Sequence, residues 1–174
     1  PFSKEVTLGL IKPRLLSESD QITSFSCGVE SLDLWFKKQA LKAQARGTAK
    51  TYVVVDSETN EAVGYYAIAM GSVSRDIAFS ALRRNSPDPI PMVVLGRLAV
   101  DENYQGKGIA VGLLKDCVLR SMVAMDVVGG AGILVHALDD KAQSFYTKFG
   151  FKESAIDRLV LMARVSDLTK SLIF

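Results

Sequence analysis

A short glycine-rich run, YQGKGIA, occupies residues 104–110, between an apolar stretch and a segment with helical periodicity. Glycines between a strand and a helix let backbone N–H groups approach phosphate oxygens, and the helix start adds unpaired N–H groups and a partial positive charge. Lys107 contributes a cationic side chain. The run lacks the spacing of a Walker loop or a GxGxxG fingerprint. It therefore indicates an anion site, although many strand–helix turns with two glycines bind no ligand.

Two side chains are candidates for proton transfer. Tyr146 lies among aromatic residues, and a phenol, which ordinarily titrates near pH 10, is a proton donor at neutral pH. The residues alone favour a core position for Tyr146. His136, the one histidine, lies on an apolar stretch, and we interpret it as a hydrogen-bonded core residue rather than a general base. Cys27 and Cys117 have no metal-ligand spacing, so we expect no metal site and two buried free thiols.

Positive charge is concentrated in one segment. No acid occurs from Leu34 to Val55, while cations occur at Lys37, Lys38, Lys42, Arg46 and Lys50, with a further pair at Arg83 and Arg84. Charge runs are usually solvated faces, but such faces mix both signs. The absence of acids favours contact with a nucleic-acid backbone, which would be salt-dependent and largely blind to sequence. An acidic segment of a protein partner would fit the same surface.

The elements that position these residues can be read from periodicity and turn signals. Residues 26–48 predict one helix that Ser26 or Ser31 caps and Gly47 ends. On it, Lys38, Lys42 and Arg46 recur every fourth residue along one face. KTYVVVD and AVGYYAIAMGSVSR predict a β-hairpin, LRRNSPDPIP an extended surface loop, and MVVLGRLAV a buried strand.

The second half of the chain predicts a long helix followed by alternating strands and a short helix. The long helix runs from about Gly108 to Val127, and its apolar stripe is predicted at Val111, Leu114, Val118, Met122 and Met125. GILVHAL, FKESA and RLVLMARV predict strands. DDKAQSFYTKFG predicts a short helix that Asp139 and Asp140 cap, with Tyr146 early in it. Strand–helix–strand order over residues 92–138 predicts parallel strands joined by a right-handed crossover.

The bulk properties indicate a globular protein. Its 174 residues, nearly half of them hydrophobic, fit one α+β domain over residues 1–174. No apolar run approaches the roughly 20 residues needed to span a bilayer. The opening segment PFSKEVTLGLIKPRLL lacks the apolar centre and cleavage site of a secretory signal. We therefore expect a cytoplasmic protein without a membrane partner.

The glycine run also resembles a family motif. QGKGIA is similar to the Q/R-x-x-G-x-G/A loop of GNAT-type N-acetyltransferases, and AQSFYTKFGF to their A-x-x-F-Y-x-x-x-G-F segment. The resemblance implies a GNAT fold, with a mixed central sheet, a splayed strand pair at the acetyl-CoA site and helices on both faces. It implies that Leu98, Ala99 and Val100 contact pantetheine. The pyrophosphate of acetyl-CoA would then be held by the loop residues Gln105, Gly106, Lys107, Gly108, Ile109 and Ala110.

FSCGVESLDLWF, LRRNSPDPIP and LGRLAVD together resemble the TacT group of toxin–antitoxin acetyltransferases, from about Phe25 to the end of the chain. This resemblance implies acetyl transfer to the α-amino group of aminoacyl-tRNA, a block of translation, a ribbon-helix-helix antitoxin and a homodimer. Tyr146 would then be the catalytic acid, and a backbone N–H near Ala99 or Val100 would polarise the thioester carbonyl. Arg97 either orients substrate or forms a buried ion pair.

Two alternative functions stay open on the sequence. One is a GNAT enzyme that acetylates a protein N-terminus or a small amine. The other is a non-catalytic module that binds CoA or an antitoxin.

Overall fold

The computed structural model describes residues 9–168, 170 and 172; the first half of the opening segment, residues 1–8, therefore lies outside the described residues. The strands are β1 (Leu10–Leu15), β2 (Lys50–Asp56), β3 (Ala62–Val73), β4 (Ile90–Val100), β5 (Gly132–His136), β6 (Lys152–Glu153) and β7 (Val160–Ala163). The helices are α1 (Glu30–Lys38), α2 (Ala40–Arg46), α3 (Ser80–Arg83), α4 (Ile109–Val128), α5 (Asp140–Lys148) and α6 (Val165–Leu168).

The strands form one sheet in the order β1-β2-β3-β4-β5-β7-β6. β1, β2 and β3 are antiparallel neighbours, β4 and β5 are parallel, and β7 runs antiparallel to β5 and β6. This mixed sheet with helices confirms the predicted α+β class. Chain contacts define two compact units: the chain up to Ala69 with Arg97–Cys117, and Met70–Gly96 with the chain from Val118 onward.

The first unit is organised around an aromatic cluster beneath the β2–β3 hairpin. Tyr65 of β3 stacks on Phe36 with ring centroids 4.1 Å apart, and Phe25 meets Phe36 edge-on at 5.0 Å. Val53 and Val55 of β2 complete this core. β-branched residues on the inner face of β2 thus explain both its strand conformation and its burial.

The basic segment departs from the single predicted helix. It is broken at Gln39, whose φ of −118° departs from the usual helical value, so α1 and α2 are separate helices. The predicted serine caps are wrong as well, because α1 starts after Val29 with no side-chain cap. Gly47 ends α2 in a left-handed conformation, as predicted. Lys38 therefore lies on a different helix from Lys42 and Arg46. The predicted row, with a cation at every fourth residue of one helix, is interrupted between Lys38 and Lys42.

The second unit contains the parallel pair and the strands that extend it. β4 pairs with β5 from Met92↔Gly132 to Leu95↔Val135, which confirms the predicted parallel arrangement. The proline-rich segment is only partly the predicted surface loop. Leu82 is buried in the core of this unit and belongs to α3, and β4 already begins at Ile90.

α4 buries only part of the stripe that its spacing predicted. Leu114, Val118 and Met125 are buried as predicted, but Val111 is exposed and Met122 half-buried. The neighbouring Leu113, Cys117 and Ser121 are fully buried instead. The helix is apolar on most of its circumference, so periodicity alone could not select the buried face.

Candidate functional site

The glycine-rich run forms the loop that leads into α4. Gly106 and Gly108 have φ values of 77° and 81°, in the left-handed region that favours glycine. No atom lies within 4 Å of the position that a Cβ would take at either residue. The Gly108 carbonyl accepts the N–H of Gly112 at 3.1 Å, so the N–H groups of the first helical turn lack intrahelical acceptors. The loop is thus open and rich in donors, as an anion cradle must be.

Gln105 holds this loop rather than reaching out of it. Its side-chain amide donates to the carbonyl of Val100 at 3.0 Å and to the carbonyl of Cys27 at 3.1 Å. Lys107 is exposed, and its Nζ lies 5.2 Å from the ring centroid of Tyr104. The Gln105 side chain therefore positions the loop, while Lys107 and the backbone N–H groups are available to an anion.

A second anchor joins the loop to the segment around Ser26, which sequence reasoning missed. Asp101 is buried, and its carboxylate accepts the N–H of Ser26 at 3.0 Å and that of Asn103 at 2.9 Å. In return, the Ser26 carbonyl accepts the N–H of Glu102 at 2.8 Å. No sequence signal marks this contact, because the partners are about 75 residues apart.

The end of β4 carries the residues predicted to contact pantetheine. Ala99 and Val100 are buried and Leu98 is half-buried. The parallel register with β5 runs to Leu95↔Val135, one residue before β5 ends at His136, whereas β4 continues to Val100. The splay of this strand pair stays a prediction.

Arg97, one step earlier on β4, has an unpredicted partner. Its guanidinium carbon lies 4.1 Å from the centroid of the Trp35 ring, a cation–π contact, and the side chain is half-buried. Of the two alternatives left open for Arg97, the buried ion pair is not seen, because none of the described residues supplies a carboxylate to Arg97. Trp35, the other half of this contact, was missed because the two residues are remote in the sequence.

Tyr146 lies in the second unit, in the last turn of α5 rather than early in the helix. It is buried, and its ring meets Phe145 and Phe151 edge-on at centroid distances of 5.2 and 5.5 Å. Asp139 caps α5 by accepting the N–H of Ala142 at 2.9 Å, as predicted. Asp140 instead forms an ion pair with Arg158. The cap and the aromatic contacts together fix the direction of the phenol.

The interpretation of His136 as a core residue is wrong. It is the last residue of β5 and is exposed. Both cysteines are free thiols, as predicted, but only Cys117 is buried; Cys27 is half-buried. Over residues 9–168, 170 and 172, no cluster of three or more histidine, cysteine or acidic side chains could hold a metal ion. Within the same residues, no helix combines the length and apolarity that a membrane crossing requires.

The predicted tRNA-binding cations are all exposed but fall in both units. The first unit carries those of α1, α2 and the start of β2, namely Lys37, Lys38, Lys42, Arg46 and Lys50. The second unit carries Arg83 and Arg84, at the end of α3. The first group shares its unit with the glycine loop.

Comparison with known families decides the class of this site. Residues 47–153 match the acetyltransferase (GNAT) domain model. The chain belongs to the GNAT acetyltransferases.

Individual relatives place it more closely within this GNAT family. The chain is 43% identical over 159 residues to a tRNA-acetylating toxin of Mycobacterium tuberculosis (strain ATCC 25618 / H37Rv), covering 91% of this chain and 95% of the relative. A structure of a tyrosine-to-phenylalanine mutant of KacT has a TM-score of 0.87 at 26% identity, covering 95% of this chain and 99% of that chain. These similarities confirm the resemblance to the acetyltransferase toxins.

Two further solved structures contain ligands. AtaT complexed with acetyl-methionyl-tRNAfMet has a TM-score of 0.83 at 26% identity, covering 94% of this chain and 97% of that chain. AtaTR bound with acetyl-CoA has a TM-score of 0.76 at the same 26% identity, covering 93% and 97%. This GNAT protein is therefore an acetyl-CoA-dependent N-acetyltransferase. The open donor-rich loop around Gly106 and Gly108 fits the anionic pyrophosphate of that co-substrate.

Proposed function

We propose that this GNAT enzyme is a toxin that acetylates the α-amino group of aminoacyl-tRNA and so blocks translation. The observation that carries the proposal is the acid-free basic segment of residues 34–55, whose five exposed cations share one compact unit with the glycine loop. A small amine would not need such a surface, whereas a polynucleotide backbone would. The similarity to the mycobacterial tRNA-acetylating toxin supports the same substrate.

The nature of the amine agrees with this substrate. An α-amino group has an ordinary pKa near 8, and a neighbouring ester lowers it further, so much of it is neutral at pH 7. A lysine amine, with a pKa near 10.4, would need a strong base. The one histidine lies exposed at the end of β5, and we assign no residue as a general base. The enzyme therefore suits an acceptor that is already largely deprotonated.

Tyr146 is proposed as the acid of the reaction. The acceptor nitrogen attacks the thioester carbonyl carbon, the new C–N bond forms, and the C–S bond then breaks. Tyr146 donates its phenolic proton to the departing sulfur and regains a proton from solvent, while the nitrogen loses its proton to water. A backbone N–H near Ala99 or Val100 polarises the carbonyl oxygen. The loop of Gln105, Gly106, Lys107, Gly108, Ile109 and Ala110 holds the pyrophosphate.

The proposed partners follow from the toxin role. A ribbon-helix-helix antitoxin neutralises the enzyme, and an acidic segment of it would compete with tRNA for the basic surface. A homodimer would present two such surfaces to one acceptor stem.

The test is acetyl transfer from labelled acetyl-CoA to a panel of individually charged tRNAs. We expect label on one or a few aminoacyl-tRNAs. In Tyr146→Phe the rate should fall by about 10²–10⁴-fold, with acetyl-CoA binding retained. Charge reversal by Lys42→Glu with Arg46→Glu should raise KM for tRNA and leave acetylation of a free amino-acid ester unchanged.

The matched control reverses two exposed cations outside the basic segment, Lys12→Glu with Arg75→Glu. It applies the same change in net charge, so an equal rise in KM would show that the basic segment is not special. Acetylation of peptide N-termini or small amines, with every charged tRNA unlabelled, would refute the tRNA proposal.

A further inference from the structure

Arg97 carries a positive charge, and no described residue forms an ion pair with it. Its guanidinium lies over Trp35 with 4.1 Å between the guanidinium carbon and the ring centroid. No described residue supplies it with a carboxylate or a hydrogen-bond acceptor. By contrast, Arg14 and Arg164 each form two hydrogen bonds to one aspartate. Burial lowers the pKa of Arg97, so its charge carries a desolvation cost that no described carboxylate offsets.

The Trp35 ring under Arg97 belongs to a stack of aromatic side chains. Trp35 stacks on Tyr65 at 6.2 Å and 17°, and Tyr65 stacks on Phe36 at 4.1 Å and 7°. The Tyr65 hydroxyl donates to the Leu32 carbonyl at 2.8 Å, which ties the stack back to α1. The guanidinium lies over the ring and has no hydrogen-bond acceptor among the described residues, so its N–H groups are available to form a fork to an anion.

We propose that Arg97 determines acceptor specificity by binding the phosphate of the 3′-terminal nucleotide of the aminoacyl-tRNA. The inference rests on the proposed function, since it names the part of that substrate which Arg97 recognises. A planar fork of N–H donors matches phosphate geometry and forms charge-assisted hydrogen bonds with it.

The position of Arg97 favours a phosphate of the acceptor over one of acetyl-CoA. The loop that suits the acetyl-CoA pyrophosphate begins at Gln105, beyond the end of β4, whereas Arg97 precedes the pantetheine residues Leu98–Val100. Trp35 and Lys38 are three residues apart on α1 and are therefore neighbours on its surface. Lys38, one cation of the basic segment, thus lies beside the ring that Arg97 contacts, so one polynucleotide backbone could meet both side chains.

The experiment compares two minimal acceptors, an amide-linked aminoacyl-adenosine with and without a 5′-phosphate. For the wild type we expect the phosphate to raise kcat/KM by about 10- to 100-fold. Arg97→Gln should abolish that preference and match the wild type on the acceptor that lacks phosphate. Arg97→Lys, which keeps the charge and loses the fork, should retain part of the preference. The exposed Arg75→Gln is the matched control and should behave as the wild type.

Each other outcome overturns a defined part of the inference. Equal losses on both acceptors in Arg97→Gln would assign Arg97 a general structural role. A raised KM for acetyl-CoA with the acceptor preference intact would assign the phosphate to CoA. If Arg97→Gln does not fold, Arg97→Lys and Trp35→Leu carry the same comparison. A wild type that acetylates neither nucleoside nor any charged tRNA would refute the proposed function itself.

Discussion

Replacing Gln105 with glutamate keeps the size of the side chain and turns its donor into an acceptor. In the wild type the amide donates to the Val100 carbonyl at 3.0 Å and to the Cys27 carbonyl at 3.1 Å. Both carbonyls would lose their donor and face a negative charge. Each of the two lost hydrogen bonds contributes about 1 kcal/mol net. We therefore expect Gln105→Glu to lower the free energy of unfolding by about 2 kcal/mol.

The assay is thermal unfolding together with acetyl-CoA titration calorimetry. For a chain of this length about 1 kcal/mol shifts Tm by roughly 2–4 °C, so Tm should fall by roughly 4–8 °C. The Kd for acetyl-CoA should rise, because the loop that begins at Gln105 loses both side-chain anchors. Gln21→Glu is the control, since Gln21 is exposed and the change of charge is the same.

The pH dependence separates this explanation from a general effect of charge. The new carboxyl at Gln105 would lie beside two carbonyl oxygens, which favour its protonated form and raise its pKa. Protonation restores one donor, so the deficit in Tm should shrink as the pH falls towards about 4. A deficit no larger than that of the control, or one that stays constant down to pH 4, would refute the anchoring role.

Three further predictions concern single sites. Gly108→Ala and Gly129→Ala each place alanine at a left-handed φ in open space, so each should lower the free energy of unfolding by about 1 kcal/mol. Only Gly108→Ala should also weaken acetyl-CoA binding in calorimetry. Equal effects of the two substitutions on Kd would contradict the proposed site. Burial opposes ionisation of Asp20, but hydrogen bonds from its arginine partner and a backbone N–H outweigh it and lower its pKa, so Asp20→Asn should lose about 2 kcal/mol at pH 7. That loss should fade below about pH 4 in a Tm–pH series, and a pH-independent loss would be contrary to the expected titration. Burial and the neighbouring Asp33 raise the pKa of Cys27 to about 11. At pH 8, alkylation of Cys27 measured by mass spectrometry should therefore be about 100-fold slower in the folded protein than after denaturation. Equal alkylation rates in the two states would be inconsistent with the raised pKa.

The strands were predictable because their signal is local. β2 and β3 consist of β-branched and aromatic residues bounded by a polar turn, and the structure places them as the expected hairpin. Gly47 likewise ends its helix through its own left-handed φ. Such features depend on residues adjacent in the chain, so one sequence is enough to reveal them.

The faces of the helices were less predictable. The break at Gln39 has neither glycine nor proline to mark it. On α4, Leu119 and Val123 are exposed while Ser121 is fully buried, which reverses the order that hydrophobicity favours. Which side of an all-round apolar helix is buried is decided by the elements packed against it, and that information is not local.

The contacts that shape the candidate site were the least predictable, and they share one property. Gln105 reaches Cys27, Asp101 reaches Ser26, and Arg97 reaches Trp35, each across more than 60 residues of chain. The glycine motif gives the loop backbone its conformational freedom, but contacts with these remote residues restrict the loop to one conformation. The binding properties of the loop should therefore respond to changes around Ser26 and Cys27, where no motif for acetyl-CoA is visible. Sequence comparison limited to the glycine motif would miss such changes, because the motif itself would stay intact.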